Sequence, residues 1–391
     1  MATTIVTGVQ YSGMWTLKQA HDAIAASTWP SPPFVYSETF GSLYGWGQNS
    51  TGATGLGNIT SYSSPKQVGT LTTWLKIGAS SYHTTAVKSD GTLWTWGTNA
   101  SGELGLGNRT SYSSPKQVGA LTYWSITSAG GNHTIAIKTD GTLWSWGANG
   151  SGELGLGNRT SYSSPKQVGA LTDWLKITTG YNWAASIKTN GTLWTWGSNS
   201  NGHLGHGNTT LYSSPKQVGS LTNWSNISGG TFFCLALKTD GTLWAWGQGG
   251  NGNLGLGNRT YYSSPKQVGS LTTWAKIGTG SATSFGITTA GALWGWGSGS
   301  DGQIGLGNTT SYSSPKQVGS LTTWNYITSG SSVQSTFGTK TDGTLWCWGR
   351  NFAGQLGLGN TTYFSSPKQI GSLTGWQPFT TGGRTIVVIK A

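Results

Sequence analysis

Ten carboxylates, five histidines and two cysteines are all that this chain of 391 residues offers for acid–base, nucleophilic or metal chemistry. Their spacing says how they are used. Asp90, Asp140, Asp240 and Asp342 each precede a glycine, and Asp-Gly between two strand-like runs is the strongest short-range signal for a hairpin. These four are turn residues. His83 and His133 occupy the same place in a repeated frame, which reads as a loop feature of the frame rather than as a pair of metal ligands. Cys234 and Cys347 lie inside strand-like runs more than two repeats apart and read as free buried thiols, not as a disulfide framework. No carboxylate pair, triad or metal cluster remains, so the sequence implies no catalytic residue, no metal and no cofactor. The segment GELGLGN has the glycines of a phosphate loop, but it opens no helix and recurs throughout the chain as structure. Asn58-Ile59-Thr60 and its copies at Asn108, Asn158, Asn208, Asn258, Asn308 and Asn360 are formal glycosylation sequons that read as turn chemistry.

Binding chemistry is better supplied. The net charge is +12, which favours acidic partners. Lys66, Lys116, Lys166, Lys216, Lys266, Lys316 and Lys368 recur with the repeat and would form a ring. Such a ring suits a polyanion, or it is a set of solvated strand-end charges. Arg109, Arg159, Arg259, Arg350 and Arg384 are scattered along the chain, unlike the clusters of a DNA-binding surface, so nucleic acid is not the expected partner. No apolar run approaches the ~18–20 residues of a membrane helix. The N-terminal stretch has neither a basic n-region nor a long apolar h-region, so no secretory signal and no membrane insertion are expected.

The elements that carry these residues follow from one stretch, GTLWTWGTNASGELGLGN, from Gly91 to Asn108. It recurs at Gly141, Gly191, Gly241, Gly291 and Gly343, with a rougher copy at Gly41. The Trp-Gly pairs at Trp46, Trp96, Trp146, Trp196, Trp246, Trp296 and Trp348 mark seven copies, and a fixed period of this size means an array or a propeller. One unit holds four short strands. Thr134–Lys138 leads into the Asp140-Gly141 turn, and Thr142–Trp146 returns from it. A long Gly/Asn/Ser-rich loop runs from Gly147 to Ser164. Lys166–Val168 and Leu175–Thr178 complete the unit. Four strands per unit make one blade, and blades bury their faces only against neighbours, so the array must close. Thr385–Lys390 ends the chain on a strand of the Thr134 type, and Leu43–Trp46 begins the first copy on a return strand. The ring is therefore cut at one hairpin turn and its last blade is completed from both ends. The expectation is an all-β, seven-bladed β-propeller over residues 41–391, closed by both termini.

Strand direction orders the loops on two faces. The Asp-Gly turns lie on one face (face B), and the loops before the strands of the Thr134 type lie on the other (face A). Copies diverge on face A. The pairs there read Tyr82-His83, Asn132-His133, Asn182-Trp183, Phe232-Phe233, Ala282-Thr283, Gln334-Ser335 and Arg384-Thr385. A second divergent position holds Thr54, Glu103, Glu153, His203, Asn253, Gln303 and Gln355. Divergence within a copied frame suggests a recognition surface, or drift at positions free of constraint. Read as exposed, Tyr82, Trp183, Phe232 and Phe233 would be its aromatic anchors.

The blocks GTLWxWGxNxxGxLGxGN, SSPKQV and NHTIAIK resemble the regulator-of-chromosome-condensation repeat, over residues 41–391. The resemblance implies a seven-bladed propeller closed by both termini. It does not imply one activity, since members exchange guanine nucleotide on a small GTPase with chromatin binding, sense ultraviolet-B light or inhibit β-lactamase. The exchange factor uses loop and wedge insertions. Here the copies are nearly constant in length, with two extra residues around Ser331 to Thr336. The photoreceptor clusters tryptophans in a Gly-Trp-Arg-His-Thr block, and this chain has only Trp183 at that loop.

Residues 1–40 lie outside the repeat. Thr16–Ala26 reads as a short helix with Thr16 as N-cap and an apolar stripe of Leu17, Ala20 and Ile24, ended by Trp29-Pro30 and a stiff Pro-rich connector. Tyr11–Pro30, with Trp15, Thr16, Leu17, Thr28, Trp29 and Pro30 as anchors, resembles an N-terminal segment of tail-fibre and other virion proteins of tailed bacteriophages. That resemblance implies an attachment arm (anchors Trp15, Leu17, Ile24 and Trp29) docked on other virion proteins. The propeller would then recognise a host-surface glycan or protein, in several copies per particle. A purely structural decoration and a free intracellular propeller binding a protein or polyanion are the alternatives.

Overall fold

The computed structural model describes residues 40–330, 334–379 and 381–391. The helix expected over Thr16–Ala26 and the anchors Trp15, Leu17, Ile24 and Trp29 lie outside the described residues.

Blades 1 to 6 each come from one continuous stretch, residues 74–117, 124–167, 174–217, 224–267, 274–317 and 324–369. Blade 2 stands for them. Its strands are Trp124–Ala129, His133–Lys138, Leu143–Gly147 and Tyr162–Gln167, antiparallel and in that order across the sheet. The Trp-led strands of successive blades touch one another around the ring and are therefore innermost. The strand that feeds the Asp-Gly turn is second and is buried throughout. The outer strand starts at Tyr162, four residues earlier than its Lys166 signal, and shifts register between Tyr162 and Lys166. Pro165 is tolerated there because an outermost strand has no further ladder bond to lose. The seven sequons are turn chemistry as expected. Asn58 Oδ1 accepts from the Thr60 N–H at 2.9 Å, and the Asn108, Asn158, Asn208, Asn258, Asn308 and Asn360 copies repeat that bond.

The ring closes where the sequence cuts it. Ser42–Gly47 pairs along its whole length with Thr385–Lys390, from Ser42↔Lys390 to Gly47↔Thr385, and Tyr62–Gln67 is the outer strand of this seventh blade. In place of a fourth strand, Trp376 makes a single bridge to Lys390.

Among the described residues the core is divided rather than single. Seven apolar wedges each join one blade to the next; that between blades 1 and 2 contains Leu93 and Val118 from one side and Trp124, Ala136 and Trp146 from the other. The wedge between blades 6 and 7 joins Phe337 and Leu356 to Trp46, Ile386 and Val388. Each of these beat tryptophans is fully buried and donates its indole N–H to a backbone carbonyl of the preceding blade: Trp146 to Glu103 at 2.9 Å, Trp246 to His203 at 2.9 Å, and across the closure Trp46 to Gln355 at 2.9 Å. The loop must come close to let this happen. At Gly105, with φ +73°, a Cβ would stand 2.7 Å from the Trp146 indole nitrogen, so this place in the GELGLGN block needs glycine for space as well as for conformation. Cys234 and Cys347 are buried and free, and burial raises both thiols well above their ordinary pKa.

Candidate binding face

On face A each divergent pair splits into two roles. The second member is buried in every blade: His83, His133, Trp183, Phe233, Thr283, Ser335 and Thr385. The first is half-buried in every blade: Tyr82, Asn132, Asn182, Phe232, Ala282, Gln334 and Arg384. The reading of Trp183 and Phe233 as exposed anchors is therefore corrected. A residue just before a strand looks like a loop tip in sequence, but here the neighbouring blade covers it. Tyr82 and Phe232 keep partly exposed rings, and Tyr181 joins them at 40% exposure.

The buried members explain their own loops. Gly130, Gly180 and Gly230 stand three residues before His133, Trp183 and Phe233, and each ring lies where a Cβ on that glycine would be. Blade 1 uses Ser80 instead, whose hydroxyl is 3.0 Å from His83 Nδ1. His83 Nε2 reaches Thr134 Oγ1 of blade 2 at 2.9 Å, and Thr134 Oγ1 donates to the Glu103 carbonyl at 2.8 Å. His203 packs between Trp183 of its own blade and Phe232 of the next, at 5.4 and 6.0 Å between ring centroids. Burial holds these imidazoles neutral. His83 is lowered to about 3, with the nearby His133 adding to the effect, and His133 and His203 are lowered to about 4.

The second divergent position is buried too. Thr54, Glu103, Glu153, His203, Asn253, Gln303 and Gln355 point inward beneath the loops. Glu103 and Glu153 each accept a backbone N–H at 2.7 Å, from Ser101 and Ser151, yet burial still raises both carboxyls above the ordinary value. These residues shape the face from below and are not part of its surface.

Backbone hydrogen bonds lace the rim from blade to blade. The Gly131 N–H donates to the Tyr181 carbonyl at 2.9 Å, and the Ser281 N–H to the Gly330 carbonyl at 3.1 Å. Trp183 Nε1 adds a bond to the Thr231 carbonyl at 3.0 Å. The outer members thus stand on a rigid ring.

Face B is built from a chain of side chains of which sequence reading singled out only the turn aspartates. In blade 2, Lys138 Nζ sits 3.7 Å from the Trp144 ring centre and 5.1 Å from that of Trp124. Trp144 Nε1 donates to Thr142 Oγ1 at 2.9 Å, and Thr142 Oγ1 donates to Asp140 Oδ1 at 2.7 Å. Blades 1, 4 and 6 repeat the arrangement, and blade 3 repeats it with Asn190 for the aspartate. The spacing Lys-x-Asp-Gly-Thr-x-Trp is its signal. Beside it, Leu121, Leu221, Leu321 and their copies are about half exposed over shallow inter-blade grooves.

The seven lysines Lys66, Lys116, Lys166, Lys216, Lys266, Lys316 and Lys368 stand exposed on the outer strands, each over the aromatic ring four residues before it, 4.1 to 5.9 Å from its centre. They ring the circumference and do not meet the divergent pairs of face A. Among the described residues no group of three or more His, Cys, Asp or Glu could hold a metal ion.

The regulator of chromosome condensation (RCC1) repeat matches this chain seven times, over residues 41–87, 90–137, 140–187, 190–237, 240–287, 290–333 and 342–389. A second description of the same repeat matches 74–103, 125–153 and 224–253. No curated protein sequence matches. Among solved structures, human WBSCR16 superposes with a TM-score of 0.81 at 19% identity, covering 90% of this chain and 100% of that one. Prp20p from Saccharomyces cerevisiae, described with its binding properties to Gsp1p and histones, gives 0.79 at 18% identity, covering 90% and 92%. Yeast RCC1 (Prp20) bound to Kap60 gives 0.78 at 18%, covering 90% and 89%. At these identities the likeness is one of fold.

Proposed function

The chain belongs to the regulator of chromosome condensation (RCC1) repeat family, and from that premise we propose that it is a non-catalytic binding propeller whose face A takes a protein partner. One observation carries the reading. Face A is where copies of a nearly constant frame present divergent half-exposed side chains, from Tyr82 through Asn182 and Phe232 to Arg384 with only blades 2 and 3 alike, on a rim held by backbone bonds. Different side chains on a rigid ring are what selects one protein surface over another. The solved relative Prp20p is described with Gsp1p, histones and Kap60, so the same fold serves protein binding elsewhere. The reading does not depend on the Tyr11–Pro30 segment, on attachment to a virion, or on where the protein works.

A photo-crosslinking side chain placed in turn at Tyr82, Asn182 and Phe232 on face A, and at Leu121 and Leu221 on face B, tests it in extract of the producing cells. The expected result is one common protein adduct from the face A positions and none from face B. Equal yields from the two faces, or no adduct from either, would reject it.

A further inference from the structure

The loops that follow the third strands carry Arg109, Arg159, Arg259 and Asp301 one at a time, but at the blade-to-blade junctions of face A charge collects at one place alone. Three places lie along each junction where one blade follows another: two just past the third strand of the first blade, and the outer member of the divergent pair in the next. The second and third of them touch between blades 5 and 6, where Ser300 Oγ donates to Gln334 Oε1 at 3.4 Å. At six junctions these places hold neutral residues, such as Thr98, Ala100 and Asn132 between blades 1 and 2. Between blades 6 and 7 they hold Arg350, Phe352 and Arg384.

The cluster is organised. The Arg350 guanidinium lies 5.0 Å from the centre of the Phe352 ring, and Phe352 is 43% exposed. Arg384 Nη1 donates to Gln48 Oε1 at 3.5 Å. Both arginines are half-buried, and the Nε of each is buried with no hydrogen-bond partner in the chain. Among the described residues no carboxylate pairs with either. The acidic side chains of face A in blades 1 and 2, Glu103 and Glu153, are turned inward and committed to backbone N–H groups. Two guanidiniums at one junction, neither paired with a carboxylate among the described residues, favour a bound anion. Planar guanidinium forks match carboxylates, and the exposed Phe352 ring beside Arg350 matches an apolar residue.

We propose that the blade 6–7 junction of face A is a station for an acidic, partly apolar peptide segment, whose carboxylates the Arg350 and Arg384 guanidiniums receive while Phe352 takes an apolar side chain. The inference rests on face A being the binding face and names the chemistry of the partner there. The lysine ring is not part of it, since those lysines lie out on the circumference over their own aromatic rings.

A short labelled peptide of glutamates and leucines, its glutamine counterpart, and three variants of the full chain test the station by fluorescence anisotropy. Arg350→Gln with Arg384→Gln should weaken binding of the glutamate peptide ~10-fold or more, while Lys216→Gln with Lys266→Gln, the same loss of net charge, should change it less than ~2-fold. Arg384→Lys keeps the charge and loses the fork, and should weaken binding ~3-fold with an unchanged melting temperature. Equal losses in the arginine and lysine variants, equal binding of the glutamine peptide, an unaffected Arg384→Lys protein, or no binding by the unmodified chain would each overturn the station. Photo-crosslinks from Tyr82 and Asn182 would persist in that event if face A still binds a protein through its other blades, and would be absent if the wider reading fails as well.

Discussion

Face B and face A are two ends of the same seven sheets, yet one is copied and the other is not. At face B the frame is made of side chains. Lys138, Trp124, Trp144, Thr142 and Asp140 hold each other, so a change at any one leaves another without its partner. At face A the frame is made of backbone. The beat tryptophans donate to the carbonyl of the second divergent position, or in blade 1 of the residue just before it, and carbonyls do not depend on which side chain is present. The same bond is made whether the residue is Glu103, His203, Asn253 or Gln303. Variation is therefore inexpensive at one end of the blade and costly at the other. The position of a binding face follows from what the frame is made of.

The largest way to break the contrast is to remove a buried member of a face A pair. Trp183→Ala should cost about 3–5 kcal/mol in chemical denaturation, because the ring fills the space above Gly180 and leaves a cavity beside His203, while Tyr82→Ser at the half-exposed place should stay within ~0.5 kcal/mol. Similar costs at the two positions would erase the division into buried and presented members.

Acid should enter through face A first. Unfolded histidine takes up a proton near pH 6.5, but His83 and His133 in the fold do so only at about 3 and 4. Between pH 6.5 and 4 these histidines bind more protons in the unfolded chain, so what they contribute to stability falls as pH falls through that window, by about 1–2 kcal/mol per buried histidine at pH 5, while the raised Glu103 and Glu153 carboxyls act in the opposite sense. The Asp90, Asp140, Asp240 and Asp342 carboxyls on face B are held below their ordinary value, with the hydroxyl of the threonine two residues on contributing in each, so what they supply is lost only at still lower pH. His133→Met, which replaces an imidazole with no hydrogen-bond partner, should flatten the slope of stability between pH 6.5 and 4. An unchanged slope would mean that the acid sensitivity lies elsewhere.

The smallest test repairs face B where one copy has lost it. Blade 5 carries Thr288, Ala290 and Ala292 in place of the Lys, Asp and Thr of its neighbours, and Trp294 Nε1 is buried without a partner. Ala290→Asp with Ala292→Thr should restore the chain from Trp294 to the turn and add about 1 kcal/mol of stability. No gain would mean that the side-chain frame contributes less to the blade than its regularity suggests.

The fold was legible because it is periodic. Trp-Gly beats, Asp-Gly turns and the complementary half-units at Leu43–Trp46 and Thr385–Lys390 place the seven blades and their closure without any knowledge of side-chain contacts. What was illegible needed two copies at once. Trp183 and Phe233 read as exposed because the surfaces covering them belong to the next blade. Arg350 and Arg384 read as scattered because only the sheet order puts them at one junction. Lys138 carries no signal of its own, because the two tryptophans around it lie on different strands of the sheet. The outer strand began early because Tyr162, before Pro165, pairs through a register shift that no local propensity announces.

The closure also sets a timetable. Thr385 Oγ1 donates to the Gln48 carbonyl across 337 positions of chain, and Ser42–Gly47 waits for Thr385–Lys390 as its inner neighbour. At ~5–20 residues added per second, Ser42–Gly47 stands as an open sheet edge for on the order of half a minute before its partner is made. For that interval the growing protein is an arc with two adhesive ends, and whatever shields them during translation decides how much of it becomes a ring.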